Sequence, residues 1–406
     1  MKSRAASFLA LTFALTGALW GSILPSALPL SPPPFAATVI VTFDAQRIGR
    51  IETQGYADPF TKRPVSADDP VRIASVSKLI VALGVAELAR TGKIDVNRDI
   101  SAYLGITVRN PSYPETPITL AMLLSHTSSL TDDADYIIPL GEMIAPKFGN
   151  SKAWDAEHGP GHYFRYANFN YPVIATVMEK ATGERFDRLM ARLVFRPLKL
   201  DACFNWSTCS DAKAARAVVL TDNHGAVRKD DLKGQRPPCL GVNMGDQGCT
   251  LDHYQIGDNG GVFSPQGGAR LSMRDLAKIG QRLFALTRSG ANSLMGTVLK
   301  TPESALLTGE SEKGFFCAYG FGVQLIGRVK SPLCHDQPFA DGRARIGHAG
   351  EAFGLRSGLW IDPAIGRGVA FFTTAVPDNG RMGPISAFTD REEWILRTLT
   401  LPPGKE

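Results

Sequence analysis

The sequence predicts an α/β (α+β) fold: one antiparallel sheet flanked by helices, built from N- and C-terminal parts of the chain, with a mostly helical lobe inserted between them. Three observations carry this expectation. Short β-branched runs open the chain at residues 38–43 and 50–54. Alternating or continuous apolar runs near its end, at 344–347, 356–361 and 368–375, are joined by turn residues such as Asp362-Pro363 and Gly366 and read as an antiparallel meander. Between the two groups the apolar spacing is mostly helical. With 406 residues, 44% hydrophobic and 20% charged, the chain can bury a large core and is not disordered.

The elements follow in order. Lys2 and Arg4 precede an uncharged apolar run over 5–20, and small residues follow at Ser26-Ala27 and Ala36-Ala37, as in a secretory signal cleaved between them. Residues 5–30 are also long enough to cross a bilayer, so an uncleaved anchor is the alternative. Residues 1–36 are therefore expected to be a signal peptide or N-terminal anchor, and 37–406 the folded domain of an exported protein, periplasmic, secreted or membrane-anchored. Its sheet lobe is expected at about 37–110 and 255–406, its helical and loop-rich lobe at about 111–254.

The first two strands flank Asp44-Ala45-Gln46 as a hairpin. Ile73, Val76, Leu79, Ile80, Leu83, Ala86 and Leu88 recur at helical spacing and stop at Thr91-Gly92, which places Ser75 at or near a helix start. Further helices are expected over 119–124, over 171–181 before Thr182-Gly183, and over 185–195. Residues 201–258, with Pro237-Pro238 and many glycines, read as a loop-rich connection. Ser272 with Asp275, and Thr389 with Glu392, have capping spacing at the head of two more helices, reaching Leu286 and Leu399.

Charge identifies no partner. The net +5 comes from 44 basic and 39 acidic residues scattered along the chain, so no basic stripe suggests nucleic-acid binding. Six cysteines at 203, 209, 239, 249, 317 and 334 lie downstream of the export segment; six allow 15 connectivities, and neighbour pairing, 203 with 209, 239 with 249 and 317 with 334, closes the shortest loops. None has zinc-knuckle spacing, and the seven histidines do not cluster with them.

Ser75-Val76-Ser77-Lys78 carries the chemistry. Positions three apart are neighbours on a helix and a long side chain leans toward the N-terminus, so the Lys78 amine reaches the Ser75 oxygen. A lysine is a base only when deprotonated, and both burial and the positive helix end favour its neutral form. Four letters alone are weak, since a Ser-x-x-Lys occurs about once by chance in a chain this long. There is no Gly-x-Ser-x-Gly elbow, His-Glu-x-x-His or P-loop to compete with it.

Residues 71–78, Val-Arg-Ile-Ala-Ser-Val-Ser-Lys, resemble the active-site helix start of the serine β-lactamase and penicillin-binding-protein family. Ile118-Thr119-Leu120 through Leu123-Leu124-Ser125-His126-Thr127-Ser128 resembles a segment of its class C, D-alanyl-D-alanine carboxypeptidase and esterase branch, with Ser129 where glycine is usual. Tyr166-Ala167-Asn168 matches the family's Tyr-x-Asn element, and the resemblance continues at Phe195-Arg196-Pro197-Leu198 and at Gly260-Gly261-Val262 with Arg274-Asp275-Leu276-Ala277. It covers most of 39–375. His348-Ala349-Gly350 stands where Lys-Thr-Gly is common and His-x-Gly is frequent in esterases and some peptidases. Ala349 lacks the hydroxyl, and His348 the constant charge, that would hold the carboxylate of a penicillin or D-alanyl peptide.

The resemblance implies a β-lactamase/transpeptidase-like fold and an exported serine hydrolase of esterase or D-amino-acid peptidase type. Ser75, Lys78 and Tyr166 would be catalytic; Asn168, His348 and Gly350 would bind substrate; the backbone N–H groups of Ser75 and Glu351 would form an oxyanion hole. A β-lactamase or carboxypeptidase proper, and a penicillin-binding sensor that is acylated without turnover, are the alternatives. His126 reads as a structural hydrogen bonder. The expected partner is a small ester, amide or peptide, with no nucleic acid, and membrane contact only through the N-terminal segment. No metal or cofactor is implied, since side chains and water complete the chemistry. The sequence sets no oligomeric state.

Overall fold

A computed structural model describes residues 32–237, 251–288, 294–300 and 309–399. The expected signal or anchor segment and the Cys239–Cys249 pair lie outside them. Strands β1 (Thr38–Asp44) and β2 (Ile48–Gln54) form the N-terminal hairpin, whose turn is tied by the Asp44 carboxylate accepting from the Gln46 and Arg47 N–H groups. Near the other end come β3 (Gln324–Ile326), β4 (Arg345–Ala352), β5 (Leu355–Asp362) and β6 (Arg367–Thr373). All six join in one antiparallel sheet of order β3-β4-β5-β6-β1-β2, β1 pairing with β6 from Thr38 opposite Thr373 to Asp44 opposite Arg367. The meander is thus closed by the chain's first strand, as the sequence led us to expect. Strand β4 extends beyond the anticipated 344–347 to include His348-Ala349-Gly350.

Period-two alternation sends side chains to two cores. Val39, Val41, Phe43, Leu359 and Phe372 face the larger core; Ile40, Trp360, Val369 and Phe371 face a smaller one under helix α4 (Asp390–Thr398). Thr389 and Glu392 close a capping box at the head of α4. On the larger core's side, α3 (Met273–Arg288) turns Leu276, Ala277, Ile279, Gly280, Leu283 and Phe284 inward, with Ser272 Oγ accepting from the Asp275 N–H.

Helix α1 (Val76–Arg90) lies between the sheet and the inserted region and is buried almost all round, so it shows no polar face over Val76–Val85. It ends at Thr91, whose hydroxyl donates to the Glu87 carbonyl, with Gly92 following at φ +69°. The inserted region carries its helices in short pieces, Leu120–Leu124 and Phe186–Met190, around one long helix, α2 (Asn170–Thr182), stopped by Gly183 at φ +67°. The loop-rich stretch after residue 200 contains a paired strand, Cys203–Phe204, which with Ala269–Leu271 and Val71–Arg72 makes a small sheet leading into α1. Disulfides join Cys203 to Cys209 and Cys317 to Cys334. Among the described residues no helix is long and apolar enough to cross a membrane.

Helix α3 approaches the sheet through Gly280, where any Cβ would overlap the Phe43 ring and press on Leu359. Gly280→Ala should therefore destabilise the protein by about 1–3 kcal/mol despite alanine's better helix propensity, read as a lower urea midpoint at unchanged m-value.

Candidate active site

The small sheet delivers the chain to the head of α1 through Ile73 and Ala74, the latter strained at φ +46°. Ser75 is the residue preceding the helix. One turn on, Lys78 is fully buried, and its Nζ donates to Ser75 Oγ at 3.0 Å, Asn168 Oδ1 at 2.8 Å and the Gln266 carbonyl at 3.0 Å. Two of these partners can only accept, so they fix two N–H directions. A neutral amine then points its lone pair along the third, at the Ser75 hydroxyl. Burial lowers the Lys78 pKa to about 7, against the opposing pull of Asp132 and Glu312. The aromatic rings of Tyr166 and Tyr171 lie 4.8 and 5.3 Å from the nitrogen.

Tyr166 is held by its faces, stacked on Phe316 at 4.7 Å and on His126 at 4.4 Å. Burial pushes its phenol well above the ordinary range, and a hydrogen bond with Ser75 pulls the other way. His126, at φ +56°, accepts on Nδ1 from the Ala167 N–H at 3.1 Å and from Asn170 Nδ2 at 3.0 Å. Burial first, then Lys78 and His348, keeps it neutral. Its ring thus stacks on Tyr166 while its Nδ1 bonds the segment that carries Tyr166-Ala167-Asn168. Ser129, at φ +64°, explains why glycine is usual there; its hydroxyl accepts from Asn110 Nδ2 at 3.0 Å.

Asn168 is oriented by a residue that the sequence did not single out. The Asp132 carboxylate accepts from Asn168 Nδ2, the Asn168 N–H and the Phe169 N–H, each at 2.9 Å, which aims the amide oxygen at Lys78. Gln266 contributes a backbone carbonyl, which leaves no side-chain signature. Ser77 Oγ accepts from the Ala269 N–H at 3.1 Å and pins that neighbouring segment to α1.

Strand β4 forms the opposite wall. A Cβ on Gly350 would lie 3.2 Å from the Ser75 nitrogen and collide with Ser357 and the Ile73 carbonyl, so only glycine lets strand and helix head meet. Ser357 Oγ donates to that carbonyl at 2.9 Å. Glu351 follows on the strand, its exposed side chain paired with Arg356 at 2.5 Å. His348 is buried: Nδ1 donates to the Ala349 carbonyl at 2.5 Å, and Nε2 accepts from the Tyr319 hydroxyl at 2.8 Å. Burial and the nearby Lys78 take its pKa down to about 3, so it is a neutral ring with both nitrogens engaged. Tyr319 and Phe316 also lacked a sequence signal. Two cavities meet at Ser75 and Tyr166, one of about 770 Å³ that includes Asn168 and Gln266 and one of about 530 Å³ that includes His348 and Gly350.

The sequence model of the family described as Beta-lactamase matches residues 36–388. The chain belongs to the β-lactamase family. Among curated family members it is similar to the D-alanyl-D-alanine-carboxypeptidase/endopeptidase AmpH of Escherichia coli K12, 28% identical over 169 residues, which are 39% of this chain and 42% of that protein. The match thus spans less than half the length of that relative. Two solved structures share the fold at a TM-score of 0.63: a class C β-lactamase from Rhodobacter sphaeroides (14% identity, 89% of this chain and 93% of that one) and a D-amino acid amidase from Ochrobactrum anthropi SV3 (18%, 90% and 92%). The β-lactamase/transpeptidase-like architecture expected from the sequence is the one found, and the family is one of serine hydrolases.

Asp132→Asn would turn an amide N–H toward groups that already donate. It should cost about 1–3 kcal/mol in unfolding free energy, measured by urea denaturation.

Proposed function

We propose that the protein is an exported serine hydrolase that cleaves an ester or amide through a Ser75 acyl-enzyme. One observation carries this reading: the buried Lys78 amine, its pKa lowered to about 7, lies 3.0 Å from Ser75 Oγ with its other hydrogens committed elsewhere. Lys78 takes the serine proton as Ser75 attacks the carbonyl. The resulting oxyanion lies between the backbone N–H groups of Ser75 and Glu351, at the positive end of α1. Tyr166, whose phenol is raised well above the ordinary range, remains protonated and serves as donor and relay, first to the leaving group and then for the deacylating water. Asn168 binds the acyl portion, and His348 and Gly350 shape the other side of the cleft. The disulfides at 203–209 and 317–334 support an oxidising compartment.

The substrate follows from what the third element lacks. His348 is neutral and Ala349 has no hydroxyl, so a carboxylate on the leaving-group side gains little there. This favours a short-chain or D-amino-acid ester or amide over a D-alanyl peptide, and either over a β-lactam. The named activities of AmpH and of the D-amino acid amidase lie within this range.

Ser75→Ala should abolish covalent labelling by a fluorophosphonate, seen by intact-mass spectrometry; labelling that persists would sink the assignment. In the native protein the labelling rate should rise about tenfold per pH unit below pH 7 and level off above it, because the base must first lose its proton. Among p-nitrophenyl esters, a D-Ala-D-Ala peptide and nitrocefin, the esters should show the highest kcat/KM. Rapid nitrocefin turnover would reverse the ranking, and a single burst without turnover on every substrate would identify an acylated sensor.

A further inference from the structure

The larger of the two cavities holds a charge that the acyl-transfer chemistry does not use. Arg72 lines it, three residues before Ser75, and is only 8% exposed. Its guanidinium donates to Ser264 Oγ at 3.1 Å, while its buried Nε has no acceptor among the described residues. It rests over the Phe353 ring at 5.0 Å, and the Lys229 ammonium stands over the same ring at 5.8 Å. A buried cation is costly unless something pairs with it.

Three of the four carboxylates lining the cavity, Asp230, Asp231 and Glu351, are already engaged; the fourth, Glu312, lines the second cavity as well and makes no hydrogen bond to Arg72 or Lys229. Asp230 receives two hydrogen bonds from Arg270, at 2.9 and 3.2 Å, and one from Trp206 Nε1 at 3.1 Å. Asp231 pairs with Lys233 and Glu351 with Arg356, each at 2.5 Å. Arg270 is thus bonded to Asp230, whereas Arg72 and Lys229 line the cavity with no carboxylate bonded to either among the described residues, and Asp230 acts on them only through space. Burial, with repulsion from Arg270, brings the Arg72 pKa down to about 9, which leaves it charged at neutral pH. The same cavity includes Asn168, so these cations lie on the side assigned to the acyl portion.

We propose that this cavity is an anion subsite, and that the preferred acyl donors carry a carboxylate which Arg72 and Lys229 receive while the scissile carbonyl sits at Ser75. The inference rests on the acyl-enzyme reading above and adds the charge of the substrate. The planar guanidinium offers a carboxylate two parallel donors, and Lys229 adds a point charge from the cavity's edge.

Mono-p-nitrophenyl adipate and its methyl ester, compared by p-nitrophenol release, differ by one negative charge at nearly constant size. The acid should have a kcat/KM about tenfold higher or more, the worth of one charge-assisted hydrogen-bonded contact, and the ratio should shrink with added salt. In Arg72→Gln the ratio should fall toward one. In Lys229→Gln, a change at an exposed side chain that decides the matter if Arg72→Gln does not fold by circular dichroism, the ratio should drop in part. Equal rates for acid and methyl ester in the native protein, or an undiminished ratio in the folded variants, would overturn the subsite. If neither ester releases p-nitrophenol even as a single burst, the acyl-enzyme reading falls instead, and calorimetry with monomethyl adipate decides the subsite separately. Binding to the native protein that weakens in the Arg72 or Lys229 variant upholds it; no binding, or equal binding, overturns it.

Discussion

The site depends on keeping one amine out of water. Exposed to solvent, Lys78 would be an ammonium with nothing to contribute as a base; desolvation alone is enough to bring its pKa near neutrality. That requirement accounts for much of the surrounding architecture. Helix α1 has to be buried all round over Val76–Val85, the aromatic rings of Tyr166 and Tyr171 have to close over the nitrogen, and a strand has to pass against the helix head through a glycine. The hydrogen bonds to Asn168 and Gln266 keep the buried amine from being an orphan and also choose its direction.

The environment sets the titrating groups apart. Lys78 moves down toward neutrality, Tyr166 moves far up, and His126 and His348 are driven to their neutral forms, so among these four only the lysine changes charge near pH 7. One carboxylate, Asp132, acts at a remove: bonded to Asn168 and to two backbone N–H groups, it fixes the amide that in turn fixes the amine.

What could be read from the sequence was whatever has a local signature. Ser75 and Lys78 are one helical turn apart, Thr389 and Glu392 form a capping box, Thr182-Gly183 stops a helix, and each showed as a spacing between letters. The meander showed through its alternation. Hidden from the sequence was everything that depends on distant chain segments meeting. Asp132 has no pattern linking it to Asn168, Gln266 acts through a carbonyl that every residue possesses, and the Tyr319 bond to His348 joins a loop to a strand. Ser129 shows a middle case. Its oddity against the resembling segment was visible, but the reason, a left-handed backbone, is visible only in three dimensions.

The bond from Ser357 to the Ile73 carbonyl joins residues 284 positions apart. Its consequence belongs to the order of synthesis. A chain emerging from its N-terminus presents Ser75 and Lys78 early, as part of a helix start with one wall missing, and β1 waits for β6 before it has a second neighbour in the sheet. Contacts of such long sequence range form slowly, because loop closure must be met before they add stability. The setting of Ser75 and Lys78 is therefore completed among the last features of the molecule, when the C-terminal meander docks against the helix head.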